Sequence, residues 1–180
     1  KLLQFIESKN DAGILDFYYE KIEHFEGHSL RGEVHLLVAQ ALRRLSMYAE
    51  ADSVLQKGIG GRTAELEKDA TARIYREMAS NFRDQHDVFR LGEILKYLDA
   101  RHPNRFDDPE YWLSKAYYAR ATNKNKEARK ILIYAINGPD SRVTTEQRLK
   151  LLSALAELYV DMDKPKKADK ALRTYIKIHD

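Results

Sequence analysis

Residues 155–175 read LAELYVDMDKPKKADKALRTY, and their spacing decides the fold. Leu155-Ala156 is followed by Tyr159, Asp163, Ala168, Leu172 and Tyr175. Apolar residues three and four apart make one stripe on a 3.6-residue period, so Leu155 to Tyr159 reads as one helix face. Asp163 is a short polar break, and Ala168, Leu172 and Tyr175 make the face of a second helix. The small Ala156 lets the two backbones approach.

The same spacing occurs three more times upstream. Lys115-Ala116 precedes Ala119, Asn123, Ala128, Leu132 and Ala135. Met78-Ala79 precedes Phe82, His86, Leu91, Leu95 and Leu98, and Val38-Ala39 precedes Leu42, Ser46, Ala51, Leu55 and Gly58. The leading alanines at 39, 79, 116 and 156 give periods of 40, 37 and 40. One helix pair cannot bury both of its faces, so neighbouring pairs must stack. The spacing predicts helices near 11–26, 30–46, 49–58, 65–84, 87–101, 109–123, 125–137, 144–162 and 165–179. Residues 1–8 read as the end of a helix, with Leu2, Leu3 and Ile6 continuing the apolar spacing. The expected organisation is one repeat domain with a degenerate unit over 1–29 and units over about 30–63, 64–108, 109–143 and 144–180.

Local signals agree. Asp108-Pro109 reads as an N-cap followed by proline in the first turn. Thr144 with Gln147 fits a capping box. Gly138-Pro139 reads as a helix stop, His102-Pro103-Asn104 closes a repeat, and Gly58, Gly60 and Gly61 are expected to break the chain between helices.

The 180 residues, 43% hydrophobic and 33% charged, suit a folded chain with a core of its own. No uncharged apolar run has the roughly 20 residues a membrane-crossing helix needs. With no cysteine, disulfides and thiolate metal sites are excluded. That absence also fits an exported bacterial protein. The start at Lys1, without Met or a leader pattern, reads as a fragment of something larger. The net charge of +3 is uneven: residues 1–119 hold 17 Lys and Arg against 20 Asp and Glu, residues 120–180 hold 14 against 8. The basic second part suits anionic partners, while +3 overall argues against nucleic acid.

These residues resemble the tetratricopeptide repeat (TPR) family. Trp112 with Ala116 matches the start of its first helix, as do Leu152, Leu155, Ala156 and Tyr159 in another unit. Ala51, Ala128 and Ala168 match the second-helix alanine, and Pro103 the closing proline. The chain departs in its longer period, in Ala for the first-helix Gly, and in Leu91 at one second-helix alanine position. The resemblance implies an all-α, right-handed α-solenoid whose first helices line a concave groove. It implies a non-catalytic interaction scaffold that takes a partner protein or peptide as part of a larger assembly. Long irregular repeats of this kind are similar to those of bacterial envelope scaffolds, including exopolysaccharide-export proteins, which points towards the periplasm.

On that resemblance the concave face carries Gln40, Arg43, Arg44, Arg73, Arg76, Arg83, Tyr117, Arg120 and Lys150, with Ser80 exposed among them. Arg43, Arg83 and Arg120 each lie four residues after the leading Ala, so stacking would align them as a ladder suited to carboxylates or phosphates. The family's two-carboxylate clamp is not expected, because its positions hold Leu36, Gln40, Arg76 and Ser80. The second reading is a binder of a polyanion, an anionic polysaccharide or RNA, helped by Lys164, Lys166, Lys167 and Lys170.

Signals for chemistry are weak. His24, His28 and His35 form no known metal pattern and read as surface histidines. The stretch from Gly58 to Thr63 lacks the Lys-Ser/Thr of a phosphate-binding loop. Neither a nucleophile motif nor an isolated carboxylate pair stands out. No enzyme activity, metal or cofactor is expected.

Overall fold

The computed structural model describes residues 2–8, 10–25, 31–59, 68–101, 108–137 and 143–179. Among these, all regular structure is helical. Gly60, Gly61, His28, His102-Pro103-Asn104 and Gly138-Pro139 lie outside the described residues, as do the side chains of Leu2, Leu3 and Ile6.

The chain forms two compact units, Lys1–Gln85 and His86–Asp180. The division falls inside the expected unit 64–108. The first unit contains α1 (Leu2–Glu7), α2 (Asp11–Lys21), a 3-10 turn (Ile22–Phe25), α3 (Arg31–Arg44), α4 (Tyr48–Ile59) and α5 (Lys68–Asp84). Here α2 packs on α3, α3 pairs with α4, and α5 lies against both members of that pair. The second unit contains α6 (Val88–Arg101), α7 (Pro109–Ala121), α8 (Asn125–Asn137), α9 (Thr145–Asp161) and α10 (Pro165–His179). There α7 packs on α6 and pairs with α8, α9 lies against both α7 and α8, and α10 pairs with α9. Each unit thus contains a helix pair with the next first helix stacked across it, as the repeat pattern demands.

The helix ends follow the local sequence. Asp108 accepts a hydrogen bond from the Glu110 N–H at 3.0 Å, with Pro109 in the first turn. Thr144 and Gln147 form the reciprocal capping box, at 3.2 and 2.9 Å. The polar breaks share one conformation. Ser46, His86, Asn123 and Asp163, each seven residues after a leading Ala, have φ of 61°, 59°, 60° and 54°. They are the described non-glycine residues with positive φ. This is the left-handed cap that ends a helix and turns the chain into its partner.

At Ser46, Asn123 and Asp163 both bonds of the Schellman motif form. The Ser46 N–H donates to the Arg43 carbonyl and the Met47 N–H to that of Leu42, both at 2.9 Å. Asn123 and Lys124 repeat this on Arg120 and Ala119, and Asp163 and Lys164 on Val160 and Tyr159. A left-handed L-residue costs about 1–2 kcal/mol, so the paired carbonyls and the helix packing must offset it four times.

The leading alanines are all buried: Ala39, Ala79, Ala116 and Ala156. Ala51, Leu91, Ala128 and Ala168 are buried on the second helices. Three expectations are corrected. Gly58 does not break the chain; it lies in the last turn of α4, where an added Cβ would approach His35 Cβ at 3.1 Å and Ile74 Cδ1 at 3.2 Å. Its lack of a side chain lets α4 sit close to α3 and α5. His35 is not a surface histidine but 1% exposed, its ring edge-on to Tyr18 at 5.7 Å. Ser80, expected on an exposed face, is 1% exposed. Of the tyrosines, Tyr18, Tyr111 and Tyr159 are in the core and Tyr19, Tyr97 and Tyr134 are at the surface, with Tyr48, Tyr75, Tyr117, Tyr118 and Tyr175 half-buried.

Candidate functional site

The expected binding residues lie mostly on the first helices α3, α5, α7 and α9. In the first unit Arg43 projects from α3 onto α5. Its Nε donates to Glu77 Oε1 at 2.6 Å and its Nη1 to Asp84 Oδ2 at 2.7 Å. Gln40, one turn earlier, donates to the other Glu77 oxygen at 3.2 Å. Arg83 reaches the second oxygen of Asp84 at 2.9 Å, so one carboxylate serves two arginines. This cluster is well covered: the Arg43 and Glu77 side chains are 17% and 9% exposed. Burial alone would pull the Arg43 guanidinium down, but the Glu77 charge and the hydrogen bonds to Asp84 and Glu77 outweigh it and hold it above its usual range.

In the second unit Arg120 extends from α7 onto α9. It donates through Nε to Asp161 and through Nη1 to Glu157 at 3.1 Å. The arrangement resembles that of Arg43 but is more open, with Arg120, Glu157 and Asp161 at 36%, 61% and 38% exposure. Desolvation works against this guanidinium too, and its hydrogen bonds to Asp161 and Glu157 outweigh it, leaving it raised.

The remaining residues divide by partner. Arg44 points the other way from Arg43, back to α2, where it forks onto Asp11 at 2.6–3.1 Å. The two adjacent arginines therefore serve opposite neighbours of α3. Arg73 pairs with Glu33 at 3.3 Å, and Lys150 with Glu110 at 3.3 Å. Arg76 Nε donates to the Ala72 carbonyl at 3.3 Å. Tyr117 is half-buried, its hydroxyl 2.9 Å from His86 Nδ1. The structure thus brings Gln40, Arg43 and Arg83 together around Glu77 and Asp84 in one unit, and sets Arg120 in a separate cluster in the other. Each of the three ladder arginines meets a carboxylate of its own chain.

These ion pairs reveal a longer period. Glu33–Arg73 and Glu110–Lys150 are both 40 residues apart in sequence, and Arg43–Asp84 and Arg120–Asp161 are both 41 apart. The second member of each couple lies at a constant offset from the first, the 77 residues between Ala39 and Ala116 and between Ala79 and Ala156. The charge pattern therefore repeats over two helix pairs, not one. The carboxylates Glu77, Asp84 and Asp161 were absent from the sequence reading. Their signal was available as acidic residues one repeat beyond each arginine.

Among the described residues, no group of three or more His, Asp and Glu is placed to hold a metal. A cavity of about 750 Å³ opens in the second unit over Val88, Gly92, Leu95, Tyr118 and Ile131, with Phe89 75% exposed at its lip. Its rim carries the Lys115–Asp99 pair at 3.0 Å, and Tyr111 donates a short hydrogen bond to the same carboxylate. No described helix is long and apolar enough to cross a membrane.

No family model matches the chain. Neither a curated protein nor a solved structure matches it.

Proposed function

We propose that the chain is a non-catalytic scaffold of degenerate TPR-like repeats, wound as a right-handed solenoid, that binds a partner protein or peptide across its first helices. The observation that carries this reading is the left-handed cap at one position of all four repeats. Backbone geometry repeated with that regularity belongs to stacked modules, and stacked helix pairs present extended surfaces for partners.

The binding surface would use Arg73 and Arg76 in the first unit, and Tyr117 and Lys150 in the second, more than the arginine ladder. The Arg73 and Lys150 side chains are 50% exposed, and their pairs are long. Exposed pairs of this kind contribute about 0–1 kcal/mol, so an incoming acidic group displaces them at little cost. Arg43 and Arg83 are committed to Glu77 and Asp84 and serve the fold first. An acidic peptide segment is the partner class that fits. A setting in bacterial envelope or exopolysaccharide export rests on the family resemblance alone.

The test is capture from native extract with the chain and with an Arg76→Glu, Tyr117→Ala, Lys150→Glu variant. A protein retained by the first and lost by the second, with equal melting temperatures, supports the groove. Identical capture by both sinks it. The second reading, a polyanion binder, is favoured by exposed Lys166, Lys167 and Lys170 on α10. Its mark would be retention on an anionic polysaccharide that falls steeply as salt rises.

A further inference from the structure

Each second helix turns one stripe of positions to solvent. On α4 the stripe is Ala49, Ser53 and Gln56, and on α6 it is Phe89, Glu93 and Lys96. On α8 it is Lys126, Lys130 and Ile133, and on α10 Lys166, Lys170 and Arg173. Spacings of four and three residues keep each stripe on one helix face. The helices α4 and α8 are each crossed by the next first helix, α5 and α9, and their stripes stay exposed. The exposure therefore belongs to the position in the repeat, not to the place of a helix in the chain.

In the His86–Asp180 unit this side is cationic. Its second helices α6, α8 and α10 carry 11 Lys and Arg against 4 Asp and Glu. Its first helices α7 and α9 carry 4 against 4, so the positive charge of the unit stands on one layer. The turns before the second helices add Lys124 and Lys164 against Asp87 and Asp163. The four helix acids are Glu93, Asp99, Glu127 and Asp169, of which Asp99 pairs with Lys115 and Asp169 with Arg173. Among the described residues Lys96, Lys126, Lys130, Lys166 and Lys170 have no carboxylate partner. In the other unit α4 carries Lys57 against Glu50 and Asp52.

The kind of cation and its neighbours select the occupant. Lysine presents a compact hydrated charge without the planar fork of arginine, which suits a field of headgroups more than one particular anion. Phe89 is 75% exposed, Ile133 37%, and Tyr134 beside it 47%. A soluble polyanion would meet the lysines and leave these side chains in water. A bilayer surface takes both, with the ammonium groups at anionic headgroups and the apolar side chains at the acyl boundary. Two such cationic layers repel, which disfavours a second copy of the same face.

We infer that the second-helix face of the His86–Asp180 unit, carried by Lys126, Lys130, Lys166 and Lys170 with Phe89 and Ile133, binds an anionic lipid surface peripherally. It uses the second helices, not the first-helix residues assigned to a peptide. It shares lysines with the polyanion reading, and its apolar residues separate the two.

Sedimentation with vesicles tests this on the whole chain. Vesicles of phosphatidylcholine and phosphatidylglycerol at about 7 to 3 should retain it, phosphatidylcholine alone should not, and high salt should release it. A Lys126→Glu, Lys130→Glu, Lys166→Glu, Lys170→Glu variant should lose at least about a hundredfold in partitioning. A Phe89→Ser, Ile133→Ser variant should lose about tenfold on the mixed vesicles and nothing on dextran sulfate or polyglutamate. The changed side chains are exposed, so circular dichroism and melting should be those of the native chain. No retention by the mixed vesicles, equal retention by both vesicles, or undiminished partitioning of the lysine variant would overturn the inference. Undiminished vesicle partitioning of the Phe89, Ile133 variant would also overturn it. Binding of dextran sulfate or polyglutamate that the lysine variant abolishes would then assign the face to a soluble polyanion or an acidic protein segment.

Discussion

The two units place an arginine and an aspartate at the same repeat positions and cover them differently. Arg43 on α3 and Arg120 on α7 each take an aspartate 41 residues on. Around Arg43 the second carboxylate, Glu77, is 8% exposed, while around Arg120 it is Glu157, on the surface. Position in the repeat fixes which residues meet. Burial fixes what the meeting contributes. A covered pair left with one partner missing leaves a desolvated charge behind, whereas an exposed pair is replaced by water.

The sharpest way to break the comparison is to delete each arginine. Arg43→Ala should cost about 3 kcal/mol in urea unfolding, near the lower end for a buried pair because Arg43 retains some exposure. Arg120→Ala should cost under about 1 kcal/mol. Equal losses would show that coverage does not distinguish the clusters.

The second contrast is at helix starts. Asp87 accepts the Arg90 N–H at 3.0 Å at the start of α6, while the matching residue before α4 is Met47. Asp87→Ala should cost about 1 kcal/mol near neutral pH, and Met47→Ala close to nothing. The backbone N–H of Arg90, and then its side chain, hold the Asp87 carboxyl below its usual range. Its contribution is therefore full above the unfolded carboxylate pKa of about 3.9 and is lost as pH falls through the lower folded value. A cost that persists unchanged into strong acid would remove the carboxylate from the explanation.

The third contrast is in the left-handed caps. Asparagine tolerates this conformation better than serine. Ser46→Gly should therefore stabilise by about 0.5–1 kcal/mol, and Asn123→Gly by less, in thermal melts. A larger gain at Asn123 would contradict the reading. The smallest effect is the one on which the units should agree. Double-mutant cycles for Glu33–Arg73 and Glu110–Lys150 should each give about 0.2–0.5 kcal/mol, screened away by salt. A cycle energy well above 1 kcal/mol in either would mean the pair is more than a surface contact.

The repeat was legible in the sequence because short-range spacing carries it. The leading alanines, the polar breaks, the Asp108-Pro109 start and the Thr144–Gln147 box are all local, and all take their expected places. Periodicity shows that a side chain faces inward from its own helix but not how closely neighbours approach. His35 and Ser80 were therefore read as exposed, although they are buried, and Gly58 as a break. The arginine ladder was visible as a register. Its occupation by Glu77, Asp84, Glu157 and Asp161 was not, because those carboxylates become neighbours only once one repeat stacks on the next. Arg44 shows the same limit: adjacent to Arg43 in sequence, it serves the opposite side of α3.

The alternation of charge along the repeats gives the chain a parity. Glu33, Arg73, Glu110 and Lys150 occupy one position in successive repeats and alternate in sign. Excising the 40 residues that carry Arg73 would bring Glu33 and Glu110 into consecutive repeats, acid following acid. Excising two repeats together keeps the alternation intact. A length series of this protein would therefore show an odd–even effect, with shortening by pairs tolerated and shortening by single repeats penalised. The natural building block on this view is the four-helix module.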